Sequence, residues 1–499
     1  MPKAIISVSN KDNLIPFAEK LSGLKWELLA SGGTAKLLAD AGIPVLEISK
    51  YTDSPEILGG RVKTLHPFIH GGILAQNTPN HKADLDALGI DYIDLVVCNL
   101  YPFQETIQKS DVSLEDAIEN IDIGGVTLLR AAAKNYQRVS VLCDSDDYEN
   151  FIQKISRGSL SIEDRYKYAI KAFKHTAQYD SSIASYLSQG AFTSLALHKQ
   201  SSLRYGENPH QEASYLTYQS DSGPLGGKFL QGKELSYNNY LDLDAAWRAV
   251  VSFTDPAIVI VKHLSPCGIS SAVKLSDAYQ HALASDPISA YGGVIASNRA
   301  LDGETAKAMS DLFVECIIAP GFSEEALQLY AVKKNCRLIM MPNLDVNPKL
   351  EYRSVNQGLL VQTIDQGDPQ PENWQVVSKR QPSKEEMQSM RFAWKACQHV
   401  KSNAIVFASG NATVGIGGGQ PNRVDCVHIA ANRAGEKSKG AVMASDAFFP
   451  FPDSVEAAAH YGIKAIIQPG GSKRDQESIE LADRHNMVMV VTGVRHFKH

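Results

Sequence analysis

Cysteine is sparse and unpaired in this sequence. Its seven cysteines, Cys98, Cys143, Cys267, Cys316, Cys336, Cys397 and Cys426, include no Cys-x-x-Cys pair. An odd, scattered set of this kind argues against a disulfide framework and fits a reducing compartment, by default the cytoplasm. No apolar run approaches the roughly 20 residues that a membrane span needs. The opening MPKAIISVSN passes at once into a strand-like run, so no secretory signal is expected. Neither sign of charge dominates: 49 Lys and Arg stand against 55 Asp and Glu, a net charge of −6. A broad nucleic-acid surface is thereby disfavoured, whereas local basic sites for small anions are not. There remains a chain of 499 residues, 44% hydrophobic and 21% charged. That composition is ordinary for a soluble globular protein with several cores.

The first 150 residues alternate short apolar runs with helical spacing. AIISVS, KWELLA, IPVLEI, IDLVVC and VSVLC read as strands, and NLIPFAEKLSGL, AKLLADAG and GGVTLLRAAAKN as helices. This is the βαβ rhythm of an open, mostly parallel sheet. Ser113 and Asp116 predict a capping box on a short helix. Residues 150–197 read as helices of packing and connection, with Arg165, Tyr168, Lys171 and Lys174 in helical register. Beyond about 200 a repeat begins. AIVIVKHLSPCG is echoed by HVKSNAIVFASG, DPISAYGGVIASN by SDAFFPFPDSVEAA, and CIIAPGFSEEAL by AIIQPGGSKRDQESI. The order is kept and the offset is about 140 to 160 residues. Two similar α/β units are therefore expected, separated by the polar crossover IDQGDPQPENWQVVSKRQPSKEE. The expected domains are 1–198 and 199–499, the second split into repeats of about 199–370 and 371–499.

Two nucleotide-loop patterns fail on inspection. GGKFLQGKE supplies Gly227, Gly232 and Lys233, but Glu234 replaces the hydroxyl residue that would hold magnesium and adds a negative charge. GIGGGQ ends on Gln420 where a dinucleotide fingerprint needs its third glycine. VKHLSPCG brings Lys262, His263 and Cys267 within six positions: a metal site, a thiolate nucleophile, or a base beside a cation. A zinc deaminase requires H-x-E and P-C-x-x-C. Here Leu264 and Ser265 follow His263, and Cys267 has no partner three residues on.

SGGTAK, residues 31 to 36, follows a strand and opens a helix, which suits a phosphate and equally describes an ordinary turn. RVKTLHPFIHGG carries Arg61, Lys63, His66 and His70, a solvated basic loop or part of an anion site. Its histidines four apart suggest a metal, but Pro67 between them is expected to spoil a helix. IDIGG offers Asp122 ahead of a helix bearing Arg130 and Lys134 at i, i+4. A carboxylate and several cations around one anion cradle suit a phosphorylated substrate undergoing proton transfer. A second group gathers LRYGENPHQ, VKHLSPCG, VKSNAIVFA and SDAFFPFPD. Arg204 can grip a phosphate bidentately, and the imidazole of His263 suits proton transfer, although taken alone it is as readily a core histidine. Lys262 suits a developing oxyanion, and Asn403 is expected at the equivalent place in the second repeat. Phe448 and Phe449 suit stacking on a flat heterocycle.

The stretches SGGTAKLL, GGRVKTLHP, NLYPF, IDIGG, AAAKN, LRYGENPHQ, KELSYNN, VKSNAIV, SDAFFPF and IIQPGGS together resemble one family. It comprises the bifunctional purine-biosynthesis enzymes that join 5-aminoimidazole-4-carboxamide ribonucleotide (AICAR) formyltransferase to IMP cyclohydrolase. The likeness reaches RHFKH at the end, with the compact spacing of bacterial members. It implies an α/β fold: a methylglyoxal-synthase-like open parallel sheet, then two duplicated cytidine-deaminase-like α/β units. The implied reactions are formyl transfer from 10-formyltetrahydrofolate to AICAR and dehydrative closure to IMP. The alternative is a single-activity member with one half only binding nucleotide.

For the cyclohydrolase the resemblance implies nucleotide contacts from Ser9, Asn10, Lys11, Ser31, Gly32, Gly33, Thr34, Arg61, Val62, Lys63, Thr64, Cys98, Asn99, Asp122 and Ile123. Lys134 matches the family's catalytic lysine, with Lys63, Tyr101 and Asp122 assisting. For the transferase it implies AICAR contacts from Arg204, Tyr205, His263, Gly292, Glu315, Asn403, Phe448 and Arg495. His263 matches the proton shuttle, Lys262 the charge stabiliser, and Val424, Asp453, Ser472 and Lys473 the folate site. The resemblance further implies small-molecule substrates without nucleic acid or membrane, no catalytic metal, and a homodimer sharing the transferase cleft. It allows a bound monovalent cation. Val126, Ser265 and Pro421 depart from residues frequent at their positions in the family, and Glu315 stands where some relatives have aspartate.

Overall fold

The computed structural model describes residues 1–58, 61–219, 222–370 and 373–499. Gly59 and Gly60 of GGRVKTLHP, and Pro371 and Glu372 of the crossover, where the repeat boundary was expected, lie outside the described residues. The chain forms two compact units, Met1–Ala196 and Leu197–His499.

The first unit is built on five parallel strands: β1 (Lys3–Ser7), β2 (Glu27–Ala30), β3 (Leu46–Glu47), β4 (Leu95–Cys98) and β5 (Ser140–Leu142). Their order is β3-β2-β1-β4-β5. Ala4, Ile5, Ile6, Leu95, Val96 and Val97 are fully buried, as expected of strands covered on both faces. IPVLEI pairs only from Leu46, because Pro44 has no N–H to give. The chain passes from β1 outward to β2 and β3 and then crosses to β4 on the other side of β1, a change of direction that opens a crevice at the strands' C-terminal ends. Ser113 and Asp116 form the expected capping box. The helix Ile162–Leu187 buries Tyr168, Ala172, Thr176 and Tyr179 along one face. Pro67 corrects the sequence reading. It does not spoil a helix but starts one, Pro67–Leu74, with His66 as N-cap accepting the Phe68 N–H at 3.2 Å. At the first helical position the missing N–H is one the helix leaves unbonded anyway.

The second unit contains a twelve-stranded sheet. From its centre one half runs outward through Ser265–Ser271, Ala257–Lys262, Gly293–Ser297, Val314–Ala319, Arg337–Met340 and Lys228–Gln231. The other half runs through Ala412–Gly418, Ala404–Ser409, Val442–Ser445, Ala465–Gln468, Val488–Val491 and Gln375–Val376. Each half is a hairpin, then three mutually parallel strands, then an antiparallel edge strand. The two meet antiparallel at Ser270 and Ala412. The duplication is thus present, but strand matching corrects two sequence pairings. AIVIVK corresponds to AIVFAS, so Asn403 precedes a strand whose counterpart ends at Lys262. DPISAYGG leads into a strand, whereas DAFFPFPD leaves one. The shared Val-Lys dipeptide drew the first alignment out of register.

Two hairpins lie outside this sheet, His198–Leu203 with Ala213–Thr217 and Leu350–Val355 with Gly358–Thr363. The second exposes Leu359, Leu360 and Val361. Among the described residues no helix is long and apolar enough to cross a membrane.

Candidate functional site

In the first unit, the crevice beyond β1, β2 and β4 collects most of the residues named above. Ser31 is the N-cap of the helix Gly32–Asp40, whose first N–H groups face outward. Gly32 has φ +51, and a Cβ there would lie 3.3 Å from Lys63 Nζ. A Cβ on Gly33 would lie 3.3 Å from Lys11 Nζ. Two ammonium groups therefore flank a helix N-terminus, a strong cradle for a phosphate. Lys63 keeps one carboxylate nearby, Glu56 at 3.4 Å, while Arg61 is drawn to Glu119 on the surface. Asn99 ties β4 to the loop after β1: its Oδ1 accepts from Ser9 N–H (2.6 Å) and Asn10 N–H (3.1 Å), and its Nδ2 donates to Asn10 O (2.9 Å). Thr34 bonds to Val8 O at 3.3 Å.

Asp122 opens the helix Gly124–Lys134. Its Oδ1 accepts the Gly125 N–H at 2.7 Å, and a Cβ on Gly125 would strike Oδ2 at 2.6 Å, so only glycine fits. Burial pushes the Asp122 carboxyl up, against hydrogen bonds from the N–H groups of Gly125 and Tyr101. A carboxyl so placed can hold a proton nearer neutrality than a free one. Thr64 Oγ1 lies 2.9 Å from where a Gly124 Cβ would be, which brings the Val62–Thr64 segment to this helix. Cys98 is buried and its thiol is pushed up by that burial, so it is packing rather than a nucleophile. Tyr101 and Ile123 are exposed at the rim. Lys134 is not brought to this cluster. It is exposed in the last turn, ten residues beyond Gly124, about 15 Å along the axis. Arg130, one turn earlier, lies over the Phe173 ring. Tyr179 was missed from the sequence: its hydroxyl accepts the Asp122 N–H at 2.7 Å and donates to Asn120 O at 3.2 Å. Its signal was the buried helical face to which Tyr168 also belongs.

In the second unit, strand directions place Lys262, His263, Gly292, Glu315, Asn403 and Phe448 at the same end of the strands of the large sheet, whereas Arg204 and Tyr205 follow a hairpin outside it. Lys262 and His263 are at the tip of the first hairpin. His263 is exposed rather than a core histidine. His263 and Leu264 form a two-residue turn with φ +53 and +65, and Asp242 Oδ1 accepts the Leu264 N–H at 2.7 Å. Lys262 Nζ donates to Tyr291 O (2.9 Å) and Gly292 O (3.0 Å), which among the described residues leaves one of its three N–H donors free. Cys267 is buried and its thiol is pushed up to about 12 by that burial. Glu315 is paired with Arg337 Nη1 at 2.7 Å. Arg204 lies over the neighbouring Tyr205 ring at 5.5 Å.

Asn403 spends both Nδ2 hydrogens on Gln420 O (2.9 Å) and Pro421 O (3.0 Å). Its Oδ1 accepts from Arg423 Nη2 at 2.6 Å, so paired amide bonding to a substrate carboxamide is not open to it. Arg423, a second omission, is buried and joined to the wholly buried Asp446, which also takes the Ser402 hydroxyl. Phe448 is 38% exposed and free to stack, but Phe449 is 0% exposed and belongs to the core, a further correction. Val424 and Asp453 stand in the first turns of two helices, and Ser472 and Lys473 precede a third. Arg495 is exposed in the C-terminal tail. Among the described residues no three His, Cys, Asp or Glu side chains gather as a metal-holding group.

Comparison with known proteins matches both units. A family profile described as "AICARFT/IMPCHase bienzyme" matches residues 132–433, and one described as "MGS-like domain" matches residues 13–127. The "Bifunctional purine biosynthesis protein PurH" of a Cyanothece strain is 51% identical to this chain over the whole of both. The protein of the same name from Trichormus variabilis is 50% identical over 99% of each chain. That from Listeria monocytogenes serotype 4b is 49% identical over the whole of both.

Proposed function

Because the chain belongs to the family of AICARFT/IMPCHase bienzymes, we propose how its residues divide two activities: ring closure in Met1–Ala196 and formyl transfer in Leu197–His499. The protein is a bifunctional enzyme of the last two steps of IMP synthesis, with 10-formyltetrahydrofolate as formyl donor. The AICAR amine attacks the formyl carbon, and His263 takes the amine proton. The single free N–H of Lys262 offsets charge on the tetrahedral oxyanion. The folate nitrogen then leaves with a proton, giving formyl-AICAR and tetrahydrofolate. In the second step the carboxamide nitrogen attacks the new formyl group, and one water is lost to give IMP.

For ring closure the proposed phosphate cradle is Ser31 to Thr34 with Lys11 and Lys63, completed by Ser9, Asn10, Arg61 to Thr64, Cys98, Asn99 and Ile123. Asp122 moves the proton, helped by Lys63 and Tyr101. The carrying observation is the half-buried Asp122 carboxyl, raised by that burial, ahead of a helix that the Thr64 side chain reaches while the neighbouring Lys63 lies against Gly32. The full chain carrying Asp122→Asn is expected to lose ring closure about 10²-fold or more, with formyl transfer intact. Lys134 is assayed separately in the same way, because it stands apart along its helix. Unchanged closure in Asp122→Asn overturns the assignment, and unchanged closure in Lys134→Ala removes that lysine from the catalytic set.

For formyl transfer the proposed AICAR contacts are Arg204, Tyr205, Gly292, Glu315, Asn403, Phe448 and Arg495, and the folate contacts Val424, Asp453, Ser472 and Lys473. No catalytic metal is invoked, and the place of action is the cytoplasm. A homodimer sharing each cleft is also proposed. Arg495 adjoins His496, whose N–H bonds Asp446 O just past Val442–Ser445, and that strand is six strand spacings from the strand of Glu315, about 29 Å, more than one AICAR spans. Exposed Leu359, Leu360 and Val361 support a covering partner. Co-expressed chains carrying His263→Ala and Arg495→Ala, each inactive alone, should recover about one quarter of normal transfer, since mixed dimers hold one intact site in two. No recovery from verified mixed dimers refutes sharing.

A further inference from the structure

The tail RHFKH carries a histidine to which the reading above gives no role. His496 is 2% exposed, between exposed Arg495 and exposed Phe497. Its Nδ1 lies 2.6 Å from Asp365 Oδ2 and its Nε2 lies 2.8 Å from Asp368 Oδ1. A neutral imidazole has one N–H, so only the protonated ring satisfies two carboxylates at once. Asp368 is further fixed by the indole N–H groups of Trp374 (2.6 Å) and Trp394 (3.1 Å), and Asp365 by the Gly367 N–H (2.9 Å). Both aspartates belong to the crossover between the two repeats. The tail, outside any helix or strand, is otherwise held by two side-chain bonds, Arg353 Nη2 to His499 O (2.7 Å) and Lys498 Nζ to His399 O (3.2 Å), and by a few backbone bonds. His496 N–H reaches Asp446 O (3.0 Å), Ser402 N–H reaches Lys498 O (2.8 Å), and Lys498 N–H reaches the Ser402 hydroxyl (3.1 Å). Phe497 and His499 form one wall of a cleft of about 310 Å³ whose other wall is Ser402, Asn403, Gln420 and Pro421.

We propose that His496 is a positioning residue: as an imidazolium between Asp365 and Asp368 it clamps the tail to the crossover, and so fixes Arg495 and Phe497 at the AICAR cleft. The clamp rests on the assignment of formyl transfer to this unit and of Arg495 to AICAR. The charged and titratable groups around the ring are consistent with it. Asp365 and Asp368 are negative. His399, buried behind them with Nε2 3.0 Å from Ser252 Oγ, is held neutral by burial, its value lowered to about 3. Lys498 is turned to His399 O at 3.2 Å, and the Asp446 carboxylate is engaged by Arg423 and Ser402. Burial works against the charge on His496, but the two carboxylates prevail and raise it to about 9. The sign follows from a folded value above the ordinary 6.5. The clamp is complete below about pH 6.5 and is lost as pH rises through about 9.

The test uses the full chain, with ring closure of formyl-AICAR in the same sample as an internal standard of folding. In the natural protein the KM for AICAR in formyl transfer should climb as pH passes about 9. In His496→Gln it should be raised at pH 7 by roughly 10- to 100-fold, with kcat changed far less and the alkaline climb gone. Asp365→Asn, at the more exposed carboxylate, is a milder second variant and should move the climb to lower pH. A His496→Gln chain that keeps both the normal KM and the alkaline climb overturns the clamp. Formyl transfer missing from the natural chain would instead sink the underlying assignment.

Discussion

Replacing His263 by alanine is expected to lower formyl transfer by about 10²- to 10⁴-fold while ring closure of supplied formyl-AICAR stays at its normal rate. The magnitude follows from the position of the imidazole. It is exposed at a hairpin tip, next to an ammonium that two backbone carbonyls hold in place. The AICAR amine is a weak nucleophile, its lone pair drawn into the carboxamide-bearing ring, so removal of its proton during attack controls the step. Neither thiol nearby offers a substitute, since burial of Cys267 and Cys316 keeps both protonated. Measuring both half-reactions on one sample separates the outcomes. Full transfer without the imidazole would end the proposed mechanism, and loss of closure with transfer intact would reverse the division of labour.

The second large effect concerns stability. Asp446→Ala should cost about 3–5 kcal/mol, because it strands the buried Arg423 guanidinium without a counter-charge. Asp446 is 0% exposed, and its two oxygens serve Arg423 and Ser402. Arg423 in turn bonds Ser445 Oγ at 3.0 Å and the Asn403 amide, so the loss also frees the turn that lines the cleft. Urea unfolding followed by far-UV circular dichroism reads the effect as a drop in the midpoint. A loss below about 1 kcal/mol would mean that water, not Asp446, compensates the guanidinium.

Local patterns proved the most legible part of the sequence. The five strand runs of the first unit were evident because strands buried on both faces read as continuous apolar stretches. The Ser113–Asp116 cap was evident because its chemistry is confined to four residues. Pro67 was misread since proline breaks a helix inside but suits its first position, and the boundary itself was not visible. Asn403 was placed with the Lys262–His263 pair through a dipeptide, Val261-Lys262 against Val400-Lys401, and only strand pairing reveals the register. Phe448 and Phe449 look alike in sequence, yet one is free and the other packed, as adjacent residues of an extended segment often are. Tyr179, Arg423 and His496 act through partners 20 to more than 100 residues away, which no local pattern encodes.

The two hairpin tips of the large sheet invite a comparison of stability with activity. The second repeat turns at Gly410 and Asn411, where glycine takes the single left-handed position without penalty. The first repeat turns at His263 and Leu264, both forced into that region at a cost of order 1–3 kcal/mol each. Natural drift toward a more robust fold would favour small turn residues at 263 and 264. The bulky pair found there instead stores conformational tension at the spot proposed for chemistry, so a stabilising redesign should leave that loop alone.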